Sequence, residues 1–295
     1  MKKLKFKKID AFTDGESRGN PAGYIDLREG GTLNEDEMQQ LAAELKGFVN
    51  EVGFVFREGG QIRLRFYSSE CEVEFCGHAT IAILYDLFKN TPAMMAQPKV
   101  TIRVNAGELP VYNMIHQANA IFITAPTPQF LPCSLTPARV AAALGIEPDA
   151  INPNLPLRII NGGLRTLLVP ILNLDTCLHV WPEQEPLRQF CLENEIDIVH
   201  ISVKAAVSPL TQYRTRVFAP KYGYLEDPAT GSGNAAFGYY LIDEKLWDGD
   251  LTLEQGPSRN NPNLVKLKKV ESDGQTRILF GGSATTRIEG EYWLQ

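Results

Sequence analysis

The chain has 295 residues, of which 44% are hydrophobic and 22% charged, a composition typical of a folded globular protein and not of a disordered one. Its net charge of -6 excludes a general basic surface for nucleic acid, so we expect no nucleic-acid partner. No apolar run approaches the roughly 20 residues that cross a bilayer, and no apolar leader is visible. We therefore expect a cytoplasmic protein that does not contact membranes, with its five cysteines as reduced thiols.

The first half of the chain alternates strand and helix patterns. A strand is predicted at residues 2–12, followed by a turn at 19–23 and a helix after Asn34, which can form a capping pair with Glu37. The apolar face of that helix is Met38, Leu41, Ala42 and Leu45. Further strands are predicted at 52–56, 62–66, 99–104, 109–115 and 120–124, and a second helix at 78–88.

A Pro-rich segment at residues 126–137 is the clearest boundary signal, and a similar order of elements follows it. Thr136 and Pro137 predict the start of a helix at 138–144. Strands are expected at 157–160, 165–171, 198–203 and 213–218, with helices near 186–193 and at 235–241. Gly77 and Gly231 lie 154 positions apart, about half the chain, and each begins an apolar helix. This order predicts two similar lobes.

Both of these helix starts are glycine-containing turns, Glu74 to Thr80 and Glu226 to Gly233. The first backbone N–H groups of a helix have no partner inside it, and the helix dipole favours an anion there. Because each turn also carries an acidic, Cys or His side chain, we expect the two helix starts to share one site. Nucleotide binding is disfavoured, since the glycine spacing matches neither a P-loop nor a dinucleotide fingerprint.

Cys76 and His78 admit several interpretations. A thiol nucleophile paired with its base is unexpected, because residues two apart in a helix point in different directions. Zinc bound by Cys71, Cys76 and His78 would lack a fourth ligand at a recognisable spacing. Cys76 can equally be a small buried residue between strand and helix.

Two carboxylates are candidates for proton transfer. Glu51 begins a strand among apolar neighbours, so it either faces solvent or lies in a partly desolvated site suited to proton transfer. Asp227 precedes Pro228 and can cap the following turn through its side-chain oxygen.

Several segments resemble blocks of the PhzF-like phenazine-biosynthesis isomerases, in the same order and over nearly the whole chain. They are Asp10-Ala-Phe-Thr13, Gly19-Asn-Pro-Ala-Gly23, Asn50-Glu51 with Phe54-Val55, Phe75-Cys-Gly-His-Ala-Thr80, Phe218-Ala-Pro220 with Glu226-Asp-Pro-Ala-Thr-Gly-Ser232, and Gln255-Gly256 with Pro257-Ser258-Arg259.

The resemblance implies an α+β, diaminopimelate epimerase-like fold, in which each of two similar lobes wraps mixed, mostly antiparallel strands around a central helix. The lobes would be residues 1–125, joined by a last strand at about 284–295, and residues 126–283, with the active site in the cleft between them. It further implies a cytoplasmic isomerase in a biosynthetic process, monomeric or homodimeric. No motif for a metal, flavin or pyridoxal is visible, so we expect no cofactor.

The resemblance also implies roles for single residues. Glu51 would take a proton from one carbon of a small carboxylate-bearing metabolite and return it to another, while His78 and Asp227 would orient the substrate or share the proton. Gly77, Gly231 and Ser232 would supply hydrogen-bond donors at the helix starts. Asn20 would lie near the substrate.

One position departs from the family pattern. Cys76 stands where the phenazine enzyme typically has Ala and where two-cysteine epimerases and racemases carry one thiol, and the place of the second thiol falls near Pro228. Three hypotheses remain: a proton-shift isomerase using Glu51, an amino-acid epimerase or racemase using Cys76, and a non-catalytic protein that binds a small ligand. The sequence does not identify the substrate.

Overall fold

A computed structural model of the protein describes residues 1–272 and 274–295. Its strands are β1 Lys2–Ala11, β2 Asn20–Asp26, β3 Glu51–Glu58, β4 Gln61–Ser68, β5 Glu72–Val73, β6 Lys99–Val104, β7 Gly107–Met114, β8 Ala120–Thr124, β9 Gln129–Leu131, β10 Arg158–Asn161, β11 Arg165–Pro170, β12 Ile198–Val203, β13 Tyr213–Phe218, β14 Glu226–Asp227, β15 Leu251–Gln255, β16 Asn263–Ser272, β17 Gln275–Gly282 and β18 Ala284–Leu294. Its α-helices are α1 Glu35–Glu44, α2 Gly77–Asn90, α3 Pro92–Met95, α4 Ile115–Ala118, α5 Pro137–Leu144, α6 Leu174–His179, α7 Gln184–Glu193 and α8 Gly231–Asp243. Among the described residues, no helix is long and apolar enough to cross a membrane.

The chain divides into two compact units. The first comprises Met1–Thr124 and Gly281–Gln295, and the second comprises Ala125–Phe280. In the first unit, β1 pairs antiparallel with β18 and β2, and β2 pairs parallel with β3. The sheet continues through β4, β6, β7 and β8, with β4 and β6 parallel and the other pairs antiparallel.

The second unit repeats this alternation of strand directions. Strands β10 and β11 are antiparallel, β11 and β12 parallel, β12 and β13 antiparallel, β13 and β15 parallel, and β15 and β16 antiparallel. A short strand adds to the fourth strand of each series, β5 to β4 and β14 to β13. The mixed, mostly antiparallel sheets and their helices form the α+β fold expected from the sequence.

One helix in each unit is buried almost all round. In α2 every residue from Ala79 to Phe88 is buried, and in α8 the buried residues run from Gly233 to Leu241. A helix that is apolar on all faces is stable only when protein surrounds it. Accordingly, α2 packs against β1, β2, β3, β8 and β18, and α8 packs against β10, β11, β12 and β16.

Most predicted elements are present, with limited corrections. The Asn34 side chain accepts from the backbone N–H of Glu37, whose carboxylate accepts in return, and Thr136 caps α5. The turn predicted at residues 19–23 is wrong for residues 20–23, because these residues belong to β2, which begins at Asn20. Only Gly19 has a left-handed backbone there, and Pro21 is tolerated near the start of a strand. The elements that were not predicted are the strands β5, β9, β14, β15, β16 and β17 and the helices α3, α4 and α6. Strand β7 ends at Met114, one residue before its predicted end at residue 115.

Gly53 lets α2 approach β3. A Cβ atom at Gly53 would lie 2.2 Å from the Cδ1 atom of Ile83 in α2, which is far inside contact distance. The absence of a side chain at Gly53 therefore sets the spacing between this helix and the strand that carries Glu51.

We expect Gly53→Ala to lower the free energy of unfolding by about 1–3 kcal/mol, because the added methyl group overpacks the core. Ile83→Val removes the clashing Cδ1 atom, so the double variant should lose less stability than the sum of the two single changes. Gly290→Ala is the matched control, since nothing lies within 4 Å of a Cβ there, and its effect should stay within about 0.5 kcal/mol. Urea unfolding measures all four variants; additive losses would contradict the proposed clash.

Candidate functional site

Glu51 is the first residue of β3 and lies opposite Ala22 of β2 in the sheet. Its side chain is only 23% exposed. Of the two placements that the sequence left open, the structure has the partly buried one. Asn20, itself buried, lies two residues before Ala22 in the same strand, so its side chain is on the same face of the sheet as that of Glu51.

Cys76 and His78 approach Glu51 from the start of α2. The Nε2 atom of His78 lies 3.2 Å from Oε2 of Glu51, and the Nδ1 atom of His78 lies 3.5 Å from Sγ of Cys76. The His78–Glu51 contact is an ion pair rather than an aligned hydrogen bond, because Oε2 is buried without a hydrogen-bond partner among the described residues. The three side chains form the cluster that we call the Glu51–Cys76–His78 site.

The expectation that Cys76 and His78 would not pair directly is wrong. Cys76 is the N-cap of α2 and has extended backbone angles, φ -134° and ψ 111°. The rule that residues two apart diverge holds for residues inside the helical turn, whereas a capping residue lies outside it. Its side chain can therefore turn back toward that of His78.

Burial and charge set the protonation states in this site. Burial raises the pKa of the Cys76 thiol, so the thiol is protonated at neutral pH. Burial alone would lower the pKa of His78, but a hydrogen bond to the Cys76 sulfur and the Glu51 carboxylate 3.2 Å away raise it well above its usual value. Glu51 therefore lies beside an imidazole that favours its protonated form.

The start of α8, in the second unit, is organised by a different set of contacts. Thr230 is the N-cap, and its hydroxyl donates to Oδ2 of Asp227, a buried residue of β14. Oε1 of Gln255 accepts from the backbone N–H of Thr230 at 3.0 Å, and Nε2 of Gln255 donates to the carbonyl of Asp227 at 2.9 Å. Gln255 therefore fixes both ends of the turn that carries Asp227.

A buried polar network continues beneath this turn. Nδ2 of Asn234 donates to Oε1 of Gln255 at 2.6 Å, and Oδ1 of Asn234 lies 3.2 Å from Nε2 of His200. Burial lowers the pKa of His200 to about 4, so its imidazole is neutral. Glu226, the residue before Asp227 in the chain, accepts two hydrogen bonds from Arg216, whose side chain is fully buried.

The central helices of both units begin at a glycine and lack a side-chain cap. Gly77 and Gly231 are the first residues of α2 and α8, and neither N-cap side chain hydrogen-bonds the helix backbone. A Cβ atom at Gly231 would lie 2.2 Å from the ring of Phe280, so this turn requires glycine. Ser232 follows at the second helical position and is partly exposed. The first N–H groups of both helices are suited to a negatively charged group.

A separate cavity of about 450 Å³ lies in the first unit and is not lined by any predicted site residue. Asp86 and Lys89 of α2 line it together with Asn119 and Thr286. The Asp86 carboxylate is already paired with Lys7 at 2.9 Å. The cavity is therefore distinct from the Glu51–Cys76–His78 site.

The structure thus brings Glu51, Cys76 and His78 together in the first unit, and Asp227, Gly231 and Ser232 together in the second. The sequence analysis missed Thr230, Asn234 and Gln255 as residues that shape the second group. The sequence indicated Gln255 only as the first residue of a family block. Its contacts join residues 21 to 28 positions apart in the chain, so no local pattern predicts them.

The fold is similar to those of solved PhzF and epimerase proteins. A phenazine biosynthesis protein of the PhzF family from Bacillus anthracis is 27% identical, with a TM-score of 0.87, covering 99% of this chain and 100% of that chain. The "Predicted Epimerase PA4716" of Pseudomonas aeruginosa is 19% identical with a TM-score of 0.75, covering 98% and 99% of the two chains, and supports the fold alone.

Sequence relatives give the class and the family. The isomerase YfhB of Bacillus subtilis, itself uncharacterized, is 30% identical over 98% of this chain and 99% of its own length. An uncharacterized isomerase of Clostridium acetobutylicum is 26% identical over 100% and 99%. The protein is therefore an enzyme of the isomerase class. It belongs to the phenazine biosynthesis-like PhzC-PhzF family, whose sequence model matches residues 9–290.

The raised pKa of Cys76 predicts low thiol reactivity. At pH 7, iodoacetamide should modify the exposed Cys71 well before the buried Cys76, since only the thiolate reacts. Peptide mass spectrometry over a time course measures both sites in one sample. Faster labelling of Cys76 than of Cys71 would indicate a thiolate at the helix start and would favour a Cys76-based racemase.

The depressed pKa of His200 predicts acid sensitivity of the fold. An unfolded chain takes up a proton at His200 near pH 6.5, whereas the native state does so only near pH 4, so stability should fall as the pH drops through this window. The expected loss is about 3 kcal/mol. His200→Gln should remove this slope while leaving the other titrations unchanged. Urea unfolding at pH 7 and pH 4 tests this, and parallel profiles of variant and wild type would contradict it.

Proposed function

We propose that the protein is a cofactor-independent isomerase that moves a proton between carbons of a small carboxylate-bearing metabolite, with Glu51 as the proton carrier. The observation that carries this proposal is the state of the Glu51 carboxylate. It is partly buried, has one oxygen without a hydrogen bond among the described residues, and lies 3.2 Å from His78. A carboxylate oxygen with a free lone pair can accept a proton from carbon.

His78 supports the proton transfer in this proposal. The imidazole lies next to the carboxylate, favours its protonated form and can share the transferred proton or donate to the substrate. Asp227 is assigned the corresponding role in the second unit, since it is buried and oriented by Thr230 and Gln255. The proton is carried by these groups without a metal or an organic cofactor.

The helix starts are proposed to bind the substrate. Removing a proton next to a carboxylate moves negative charge onto that carboxylate, and fixed N–H donors stabilise the charge as it builds. Gly77, Gly231 and Ser232 belong to such N-terminal turns, and Asn20 lies on the same sheet face as Glu51. We propose that these groups bind the carboxylate of the substrate.

Two other functions make different demands on the same residues. In an amino-acid epimerase or racemase, Cys76 would exchange a proton on one face of a stereocentre and would have to form a thiolate, which its burial opposes. A non-catalytic small-ligand-binding protein would need the donors of the helix starts but not the Glu51–His78 contact. The proximity of these two groups favours proton transfer.

The remaining parts of the proposal concern the protein's context. We infer from the family resemblance a cytoplasmic enzyme of a biosynthetic process, acting as a monomer or a homodimer on a small molecule. Size-exclusion chromatography with light scattering would distinguish the monomer from the dimer.

Solvent deuterium exchange into a panel of small cyclic and amino acids, followed by NMR, would identify compounds that the enzyme deprotonates. On such a compound, Glu51→Gln keeps the size of the side chain but cannot carry a proton. We expect its exchange rate to fall by roughly two to four powers of ten while ligand binding survives. Glu58→Gln, at the exposed far end of the same strand, is the matched control and should keep the wild-type rate.

Cys76→Ala separates the competing mechanisms in the same assay. If Glu51 carries the proton, this change alters packing only and should cost less than about tenfold in rate, or about 1.4 kcal/mol. Complete loss of exchange in a folded Cys76→Ala protein, with Glu51→Gln still active, would favour the racemase. Binding without exchange in the wild type would favour a non-catalytic protein.

A further inference from the structure

We propose that Glu51, Cys76 and His78 form a zinc-binding site, and that a bound zinc ion inhibits the enzyme. The three donor atoms are a carboxylate oxygen, a thiol sulfur and an imidazole nitrogen, and they lie within 4.8 Å of one another. The set differs from the one considered from the sequence, in which Cys71 stood in place of Glu51. Cys71 is exposed and is not part of this group.

The distances fit a tetrahedral ion. Zinc bonds of about 2.0 Å to nitrogen or oxygen and about 2.3 Å to sulfur place tetrahedral ligand atoms about 3.3–3.6 Å apart. The Nε2 atom of His78 lies 3.2 Å from Oε2 of Glu51 and 3.9 Å from Sγ of Cys76. These two distances are within a few tenths of an ångström of the tetrahedral values. The Glu51 oxygen and the Cys76 sulfur lie within 4.8 Å of each other, so side-chain rotation has to bring the sulfur closer to the carboxylate.

A second observation also indicates a ligand at this place. Oε2 of Glu51 is buried and has no hydrogen bond among the described residues, although the imidazole is only 3.2 Å away. A buried carboxylate oxygen that makes an ion pair but no hydrogen bond is incompletely satisfied, and a further ligand would complete its contacts. A shared cation that displaces the imidazole proton would use a lone pair of the carboxylate and one of the imidazole at once.

The donor types select the kind of metal. Sulfur and imidazole ligands suit zinc, whereas magnesium and calcium prefer sites made of oxygen atoms. As the zinc bonds form, the Cys76 thiol and the protonated His78 imidazole each release one proton to solvent, and no electron is transferred because zinc is not redox-active. With three protein ligands, the fourth position remains open to water or to a small carboxylate.

Inhibition follows from the shared atoms, and this part of the inference rests on the proposed function. The oxygen of Glu51 that would accept a substrate proton is the one that would bind zinc. A carboxylate lone pair held by the ion cannot take a proton from carbon, and the imidazole beside it is occupied as well. Zinc binding and proton transfer therefore exclude each other.

Competition of the protein with a chromophoric zinc chelator tests the site without any substrate. The wild type should remove one zinc ion per chain from the chelator, and an excess of magnesium should not reverse this. Mutating a residue that only hydrogen-bonds a metal ligand typically weakens metal binding by roughly 10–100-fold. Cys76→Ala and Glu51→Gln remove or alter a ligand itself, so each should weaken zinc binding at least about tenfold. Cys71→Ala and Glu58→Gln are matched controls and should bind as the wild type does.

Circular dichroism and thermal unfolding establish that each variant is folded, and Cys76→Ser replaces Cys76→Ala if the latter is not. Equal zinc affinity in the wild type, Cys76→Ala and Glu51→Gln would overturn the site, as would the absence of stoichiometric binding to the wild type. If zinc binds as expected but does not slow deuterium exchange, the site stands and the assignment of Glu51 as proton carrier fails.

Discussion

The contact between the Glu51 carboxylate and the His78 imidazole is the interaction on which the rest of the site depends. It exists because two distant segments meet: β3 begins at Glu51, and α2 begins one residue before His78. The two segments approach closely at Gly53, where a Cβ atom would lie 2.2 Å from Cδ1 of Ile83 in α2. The packing of α2 against β3 thus accompanies a carboxylate–imidazole distance of 3.2 Å.

The two units share an arrangement of strands around a central helix but differ in the residues at the start of that helix. Each surrounds one apolar helix with strands of the same alternating directions, and each helix begins at a glycine. In the first unit the capping residue, Cys76, contacts a titratable pair. In the second unit the capping residue, Thr230, is held by Asp227 and by the buried amide of Gln255. The first arrangement places three titratable side chains next to one another, whereas the second is a turn held in place by hydrogen bonds.

Local signals in the sequence were enough to predict much of the fold. The caps at Asn34 and Thr136 depend on neighbouring residues alone, and the apolar runs after Gly77 and Gly231 mark both central helices. The strand at Asn20 escaped prediction because its Gly, Asn and Pro residues have turn preferences, whereas pairing with β1 and β3 determines its conformation.

The sequence indicated which residues form the Glu51–Cys76–His78 site, but it did not predict which of them are in contact. Glu51, Cys76 and His78 could be singled out by residue type and by the family resemblance, but their mutual distances depend on how α2 packs. The contact between Cys76 and His78 was wrongly excluded because a helix-interior rule does not apply to a capping residue. Gln255 acts through contacts distant in sequence, for which no local pattern exists.

The protonation state of His78 tests the central interaction most directly. NMR of the His78 ring nitrogens across a pH titration, in the wild type and in Glu51→Gln, measures its pKa without a substrate. The account predicts a wild-type pKa well above the usual value of a histidine, and a clear decrease when the Glu51 charge is removed. An unshifted or lowered pKa in the wild type, or the same pKa in both proteins, would contradict the coupling of Glu51 to His78.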